Sequence, residues 1–314
     1  MTLDAFANHR TQTVRYLELL SRAAAHIDAH LGESLDGALL ADMAAMSRYH
    51  FHRIFRAYFG ITVGGYVTWR RLQRACELLA DNPVSVTDVA LQVGYESAQA
   101  LAKAMRRELD TTPMAVRAGE APRWQQLFDR RPSPDPDAVH QDPVLRPQML
   151  DVPALAVLTA TARGMKDGVR TGAAQRAFEE LVPAVRAAGL LPRARSWVAV
   201  FPDEPQGPDD QEARMLCGIL FDHSLAERTG TPDQPALSLA GSLEWCHLPA
   251  GRCAVFTHRG AHTLLHAAWT AIYRDWLPAT GYALRDVPCF IHYVNDPREP
   301  LGDAWRTHLY LPLQ

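Results

Sequence analysis

The sequence predicts a multidomain protein: an all-α N-terminal domain with two tandem helix-turn-helix units, joined to an α+β C-terminal domain of duplicated β-α-β-β halves. Three observations predict this class. Apolar residues recur at three- and four-residue spacing from residue 12 to residue 118, as they do along amphipathic helices. Six prolines fall between Pro122 and Pro147. Beyond them, strand-like segments are interrupted by two longer helical segments.

The proline-rich segment sets the expected domain boundaries. Proline lacks a backbone N–H and has a fixed φ, so this composition favours a partly extended linker. We therefore expect an N-terminal domain over residues 1–120, a linker over 121–146 and a C-terminal domain over 147–314. A long surface loop inside a single domain is the alternative.

Composition narrows the class of protein. The 314 residues carry a formal net charge of −3, and no apolar run approaches the roughly 20 residues that a membrane-spanning helix needs. The first residues lack the apolar core of a secretory signal, and the five cysteines form no C-x-x-C pair. We therefore expect a cytoplasmic protein with reduced thiols, without a membrane partner, a metal or a cofactor.

The segment SRYHFHRIFRAYFG, residues 47–60, combines basic and aromatic residues without an acid. On a helix capped by Ser47, positions at i, i+3, i+4 and i+7 form an apolar face: Phe51, Ile54, Phe55 and Tyr58. The opposite face is basic and consists of Tyr49, His52, Arg53 and Arg56. The segment LDGALLADMAAM predicts a preceding short helix with Leu39, Leu40 and Met43 on its apolar side. Two short helices with a tight turn indicate a helix-turn-helix.

A second unit of the same kind follows about 50 residues downstream. The segment SVTDVALQVGYESAQALAKAMRREL predicts a short helix, a turn at Gly94 and Tyr95, and a helix capped by Ser97. Its inward positions are Leu101, Met105 and Leu109, and its outward positions are Gln99, Ala102, Lys103 and Arg106. Between the units, YVTWRRLQRACELLADN predicts a rigid helix of about 25 Å at 1.5 Å per residue. Two outward helices held by such a spacer could enter successive major grooves on one face of DNA.

These features resemble the DNA-binding domain of the AraC/XylS family of transcription regulators. The resemblance rests on MSRYHFHRIFRAYFG, RRLQRACELL and DVALQVGYES…LDTTPMAVR, with Gly94, Pro113 and Arg117 in the closing signature. It implies that Tyr49, His52 and Arg53 approach the DNA groove from the first unit, and Ala98, Gln99 and Lys103 from the second. Flanking basic residues hold phosphates, and we expect Arg48, Arg56 and Arg106 in this role.

The sequence departs from the family pattern at a few positions. Ala45 and Asp110 stand where glycines are common, and Leu101 and Met105 stand where phenylalanines are common. None of these changes removes an outward-facing residue, so they affect the expected sequence preference and not DNA binding itself. From Arg48 to Arg74 the chain holds six arginines and no acid, which predicts one basic patch.

The C-terminal half repeats the order strand, helix, strand, strand. The second repeat consists of GRCAVFTHRG, a helical segment, PCFIHYVND and WRTHLYLPL. We expect the two repeats to share one antiparallel sheet with both helices on one face. This half resembles the GyrI-like small-molecule-binding domain, so that the whole chain has the domain arrangement of the Rob branch of the AraC family.

The GyrI-like resemblance implies an aromatic pocket between the two repeats. The family often has a glutamate there, in a P-x-F-E-x-Y segment that attracts cationic drugs; Ile291 stands at that position. Since isoleucine offers no charge, we expect a neutral or aromatic effector. The expected lining residues are Phe256, Trp276, Phe290, Ile291 and Tyr293.

Together these patterns predict a non-enzymatic transcription regulator whose small-molecule effector alters its DNA affinity or its contact with RNA polymerase. A GyrI-like hydrolase or a drug-sequestering protein fused to a DNA-binding module is the alternative. A helical domain with a merely solvated basic face is a further one. His262 and His266 have a spacing that zinc can use, but Thr263 replaces the glutamate of the metalloprotease motif, so we expect no metal or catalytic residue.

Overall fold

In the computed structural model the chain divides into two compact units, one formed by residues 13–138 and the other by 1–12 with 139–314. The structure describes residues 3–81, 84–119, 128, 146–165, 170–203, 205, 210–221, 243–295 and 305–314. Of these, the side chains of residues 3–13, 48, 81, 171 and 263 are not described. Most of the predicted linker therefore lies outside the described residues. Phe128, which the prediction assigns to the linker, is buried and packs against Trp69 at 5.5 Å between ring centroids.

The N-terminal unit is helical, as predicted. Its helices are α1 Leu3–Ala29 (from residue 13 onward), α2 Gly37–Met43, α3 Arg48–Phe59, α4 Val63–Asp81, α5 Val86–Gln92, α6 Ala98–Leu109 and α7 Pro113–Arg117. The helix-turn-helix units are α2 with α3 and α5 with α6. Helix α4 connects them and packs against both.

Each half of α4 belongs to the core of one unit. In the first half, Tyr66 is fully buried and meets Phe55 and Phe59 edge-on at 5.6 and 5.4 Å. In the second half, Leu72 and Leu79 are buried in a cluster with residues of α5, α6 and α7. The spacer helix is thus fixed to both units by apolar burial, which opposes bending between them.

The two helix-turn-helix units have the same backbone pattern. In the first turn the backbone N–H of Met46 donates to the carbonyl oxygen of Ala41, and in the second turn that of Tyr95 donates to Ala90, at 3.0 and 2.8 Å. Helices α3 and α6 both have 12 residues and both end at a left-handed residue, Gly60 and Asp110. The duplication of the unit is therefore visible in the hydrogen bonds as well as in the sequence.

Two details of the first unit differ from the prediction. Leu39 is 47% exposed, because the buried side of α2 consists of Leu40, Ala41 and the following Ala44. Ser47 has the extended backbone of an N-cap, but its hydroxyl makes no capping hydrogen bond. In the second unit Ser97 does cap α6, since its hydroxyl accepts from the N–H of Ala100 at 3.1 Å.

The C-terminal unit contains one eight-stranded antiparallel sheet. Its strands are β1 Gln148–Val152, β2 Leu155–Arg163, β3 Ala194–Val200, β4 Arg214–Phe221, β5 Leu243–Leu248, β6 Gly251–Arg259, β7 Phe290–Tyr293 and β8 Arg306–Pro312. Their order is β1-β6-β8-β7-β3-β4-β2-β5. Each strand of the first repeat has an equivalent in the second: β1 and β5, β2 and β6, β3 and β7, β4 and β8. When equivalent strands are exchanged, the order is the same one read from the opposite edge of the sheet. The sheet therefore has an internal two-fold symmetry.

The duplication is confirmed, and each repeat has one strand more than predicted. Strand β1 pairs with β6 of the other repeat, and β5 pairs with β2. The repeat is therefore strand, strand, helix, strand, strand, with its first strand added to the edge of its partner repeat. The repeats meet at the centre through the pairing of β3 with β7.

Both repeat helices lie on the same face of the sheet. The first is α8 Thr171–Ala187, and a 3₁₀ turn, Leu191–Arg193, follows it. The second consists of four consecutive segments: a 3₁₀ turn at His262–Leu264, α9 Leu265–Ala271, a π turn at Ile272–Trp276 and α10 Leu277–Thr280. Phe178 of α8 packs on Trp197 at 5.5 Å, and Trp276 packs on Phe256 at 5.0 Å. The strand registers place Trp197 and Phe256 on one face, which we call the helix face. We call the other the open face, although its centre holds a buried cluster that includes Val157, Val198 and Phe290.

Candidate DNA interface and effector site

The predicted DNA-contacting residues of the first unit project from α3 opposite its buried face. Phe51, Ile54 and Phe55 are at most 1% exposed, whereas Tyr49, Arg53 and Arg56 are half-buried at the surface. His52 is also half-buried and lies close to the start of α2, since a Cβ atom added to Gly37 would be 3.2 Å from its Nε2. The side chain of Arg48 is outside the described residues.

The predicted residues of the second unit are more accessible. Gln99, Lys103 and Arg106 are exposed along one side of α6, and Ala98 is half-buried at its first turn. Leu101 and Met105 are fully buried on the other side. This surface therefore offers an amide, an ammonium and a guanidinium group, and these donors suit base edges and phosphates.

The outward residues of the two helices are equivalent. Because α3 and α6 begin at residues 48 and 98 and have equal length, position n of α3 corresponds to position n + 50 of α6. The corresponding surface pairs are Tyr49 with Gln99, Arg53 with Lys103, and Arg56 with Arg106. A charge at the second and third of these positions is thus retained in both copies, while the first position differs in chemistry.

The basic patch predicted from six arginines is wrong for three of them, because α4 uses these residues to hold the fold. Arg70 Nε donates to the carboxylate of Asp28 at 2.5 Å, and Arg74 Nη1 donates to Glu77 at 3.0 Å. Arg71 donates to the carbonyl oxygens of Leu31, Glu33 and Gly94. Arg70 and Arg71 are thus held by contacts within the fold, and Arg74 by an exposed pair on its own helix.

The spacer helix is longer than expected. Helix α4 has 19 residues and so extends about 28 Å. This is comparable to the roughly 34–36 Å that separate successive major grooves on one face of DNA.

The five predicted effector-binding residues do not share one surface. Ile291 and Tyr293 lie on the helix face, with Phe256. Phe290 lies on the open face, where it stacks on Tyr310 at 4.4 Å between centroids. The grouping of Phe290 with Ile291 is therefore corrected: adjacent residues of a strand point to opposite faces, so these two cannot line one site.

An aromatic cluster beside Tyr293 was missed by the sequence analysis. His262 stacks on Trp305 at 4.1 Å and meets Tyr293 edge-on at 4.9 Å. Burial, together with the nearby His258, lowers the pKa of His262 to about 4, so its imidazole is neutral at pH 7. The hydroxyl of Thr307, on the same face and directly opposite Tyr293, is buried without a hydrogen-bond partner. Only the helical period of His262 and His266 had drawn attention to this region.

An open cavity of about 640 Å³ lies elsewhere on the helix face, between α8 and the β5 edge of the sheet. Its lining is largely charged: Thr161, Ala162, Arg163, Ala173, Arg176, Ala177, Glu180, Arg214, Leu243 and Glu244. None of the five predicted effector-binding residues belongs to it.

The described part of the chain has neither a metal-binding group of side chains nor a membrane-spanning helix. It contains no group of three or more His, Cys, Asp or Glu side chains that could hold a metal ion. No helix within it is both long and apolar enough to span a bilayer. All five cysteines are free, and burial raises the pKa of Cys76 and Cys217 to about 12, which disfavours the reactive thiolate.

Comparisons with known proteins match both units. A helix-turn-helix domain model matches residues 40–119, and a GyrI-like small molecule binding domain model matches residues 146–314. Regulatory protein SoxS of Escherichia coli is 30% identical over 100 residues, which are 32% of this chain and 94% of SoxS. The HTH-type transcriptional regulator YbfP of Bacillus subtilis is 28% identical over 102 residues; the match is 32% of this chain and about a third, 35%, of YbfP. Both carry names of regulators and not of enzymes.

A solved structure is similar to the N-terminal unit. The DNA-binding domain of AdpA, a global transcriptional factor in complex with a target DNA, is 35% identical over 34% of this chain and 97% of its own, with a TM-score of 0.31. Since the GyrI-like model covers more than half of the chain and SoxS is matched over nearly its whole length, the chain belongs to the AraC family of helix-turn-helix proteins and carries a GyrI-like small molecule binding domain behind its helix-turn-helix domain.

Proposed function

We propose that the protein is a sequence-specific DNA-binding transcription regulator whose activity is modulated by a small molecule bound in the C-terminal domain. The observation that carries the DNA-binding part is the pair of equivalent helices α3 and α6. Both are anchored by a buried apolar side, both carry cationic residues at corresponding outward positions, and both are fixed to one stiff helix. Two such helices can read two adjacent half-sites with a single chain.

The outward residues make different kinds of contact with DNA in this proposal, because their side chains differ in chemistry. Arg53, Gln99 and Lys103 have donors that can reach base edges, and Arg56 and Arg106 lie one turn further along their helices, where phosphate contacts are expected. Tyr49 and Ala98 can make apolar contacts, for example with a thymine methyl group. Arg48 and His52 complete the proposed interface.

Selection of bound sequences from random duplex DNA, followed by binding measurements at fixed salt, tests this proposal. We expect Arg53→Ala and Lys103→Ala each to weaken binding to the selected site by about 1–3 kcal/mol and to relax preference at one position. Arg74→Ala is the matched control, since Arg74 pairs with Glu77 on the spacer helix and should leave sequence preference unchanged. Equal losses on selected and random DNA would make Arg53 a phosphate contact, and an unselective pool would refute sequence-specific binding.

The proposed effector is neutral or aromatic and binds on the helix face near the centre of the sheet. Ile291 is buried there at the position where the family often has a glutamate, and the neighbouring His262 is neutral at pH 7. An uncompensated cation would have no counter-charge among these residues. Trp276 of the second repeat helix packs on Phe256, and Tyr293 lies beside His262. In this proposal they shape the apolar part of the site.

Repeating the DNA measurements with a panel of neutral aromatic compounds and cationic dyes tests the effector. A ligand alters DNA affinity only if it binds the two states of the protein with different affinity. We expect a neutral compound to shift DNA affinity, or to change transcription in a reconstituted system at constant DNA affinity, which would indicate contact with RNA polymerase. Micromolar binding of the cationic dyes alone would contradict the proposed ligand class.

A further inference from the structure

The two-fold symmetry of the sheet places a pair of arginines in each repeat. Arg163 at the end of β2 lies directly opposite Arg214 at the start of β4, and Arg259 at the end of β6 lies directly opposite Arg306 at the start of β8. Directly opposed residues of antiparallel strands have Cβ atoms about 4.5–5.5 Å apart, and like charges there are destabilising. A nearby negative charge relieves this repulsion.

In the first repeat the chain supplies that negative charge itself. Arg214 donates from Nε and Nη2 to the two carboxylate oxygens of Asp203, at 2.6 and 3.0 Å. Arg163 Nη1 lies 3.7 Å from the carboxylate of Glu212. The first pair is therefore neutralised within the fold.

In the second repeat, no such compensation is found among the described residues, which leave out residues 296–304. Both Arg259 and Arg306 are exposed, and neither forms an ion pair within the described ranges of the chain. Two uncompensated guanidinium groups at adjacent strand positions are unfavourable for folding, so they are better explained by an external anion than by stability.

The surface next to these arginines is suited to the rest of a ligand. On the open face, the row beside Arg259 and Arg306 contains Thr257, His308 and His292, with the two imidazoles 5.8 Å apart. Burial lowers the pKa of both histidines, so each remains neutral at pH 7 and keeps one N–H donor. The next row is the stacked pair Phe290 and Tyr310. Along β8 the exposed Arg306, the neutral donor His308 and the half-buried ring of Tyr310 thus follow one another, whereas Phe290 is buried.

We propose that the open face of β6, β7 and β8 binds a small organic anion, with its carboxylate or phosphate held by Arg259 and Arg306. Guanidinium groups match such anions through paired N–H donors. Thr257 and His308 offer further hydrogen bonds, and a flat apolar body lies toward His292 and Tyr310. Because Ile291 and Tyr293 are on the helix face, this site is separate from the proposed effector site and does not depend on it.

Calorimetric titration of the full-length protein at low salt tests the site with benzoate, inorganic phosphate and benzamide, the uncharged analogue of benzoate. We expect saturable binding of benzoate and none of benzamide. Arg259→Gln and Arg306→Gln should each weaken benzoate binding at least tenfold, whereas Arg163→Gln, at the equivalent position of the first repeat, should leave it unchanged. If phosphate binds more tightly than benzoate with the same dependence on Arg259 and Arg306, the anion site stands and its natural ligand is a phosphate compound.

Thermal unfolding of the same variants gives a second readout. Without anion, Arg306→Gln should unfold at the same or a higher temperature than the parent protein, because a repulsion is removed, and it should lose the stabilisation that benzoate gives the parent. Arg214→Gln, which leaves Asp203 without its partner, should unfold at a lower temperature. Absence of anion binding to the parent overturns the proposal. So does a loss of duplex-DNA affinity in Arg306→Gln without any benzoate binding, which would make the pair a DNA phosphate contact.

Discussion

At the scale of single residues, two positions where the family commonly has glycine have a left-handed backbone in this protein. Ala45 and Asp110 have φ values of 50° and 49°, in the left-handed region, where an L-residue costs about 1–2 kcal/mol. Aspartate tolerates this region better than alanine, because its short polar side chain can hydrogen-bond locally. The position equivalent to Ala45 in the second turn is Gly94, with φ 83°. The turn of the first helix-turn-helix therefore carries a strain that the turn of the second avoids.

Replacing Ala45 with glycine should stabilise the N-terminal unit. Relief of the left-handed strain outweighs the added freedom of the unfolded chain, so we expect the free energy of unfolding to rise by about 0.5–1 kcal/mol in urea titrations. Ala80→Gly, in the exposed face of α4, is the control and should lower it by about 0.5–1 kcal/mol. A loss of stability in Ala45→Gly similar to that of the control would show that the turn is unstrained.

At the scale of elements, α4 depends on Arg71 to hold three segments together. Its guanidinium donates to Leu31 and Glu33, which follow α1, and to Gly94 in the turn of the second unit, at 2.9–3.0 Å. It also lies 6.0 Å from the ring centre of Tyr95. These bonds satisfy backbone carbonyls in the segments that follow α1 and α5. The positive charge serves the orientation of the second unit and not DNA directly.

Arg71→Lys should therefore reduce stability while leaving DNA specificity intact. A lysine ammonium cannot reach all three carbonyl oxygens from one position, and we expect a loss of about 2–3 kcal/mol in the free energy of unfolding. The selected DNA sequence should be unchanged at temperatures where the variant is folded. Arg53→Ala, by contrast, should alter the selected sequence. A changed sequence preference in Arg71→Lys would place this residue in the interface.

Sequence periodicity predicted the buried helices and strands well and the two edge strands of the sheet poorly. The helices of the N-terminal unit have strong apolar stripes and were expected. Strands β1 and β5 were missed because they form the two edges of the sheet, where partial exposure dilutes their apolar pattern. The grouping of Phe290 with Ile291 and Tyr293 ignored the two-residue period of a strand. The roles of Arg70 and Arg71 depend on contacts 23 to 42 residues away along the chain, which composition does not reveal.

At the scale of the whole molecule, both units contain a duplication, but the two copies are joined in different ways. The two helix-turn-helix units remain separate copies on one spacer helix. The two repeats of the sheet exchange their first strands and pair at the centre. Each repeat therefore contributes to three strand pairs with the other: β1 with β6, β2 with β5, and β3 with β7. A repeat taken alone would leave long unpaired strand edges, which favour association.

Breaking the C-terminal unit between Phe221 and Leu243 tests this interdependence. Since each fragment lacks the partner strands that satisfy its edges, we expect residues 139–221 and 243–314 to be unfolded or aggregated alone. Mixed during refolding, they should form a 1:1 complex with the far-ultraviolet circular dichroism of the intact unit, because all three strand pairs can form between them. Changing Gly218 to valine supplies a control: a Cβ there would be 2.4 Å from Val157, so the register of β2 and β4 would be disturbed and assembly should fail. Native-like folding of either fragment by itself would mean that the repeats are independent and that the strand exchange contributes little to stability.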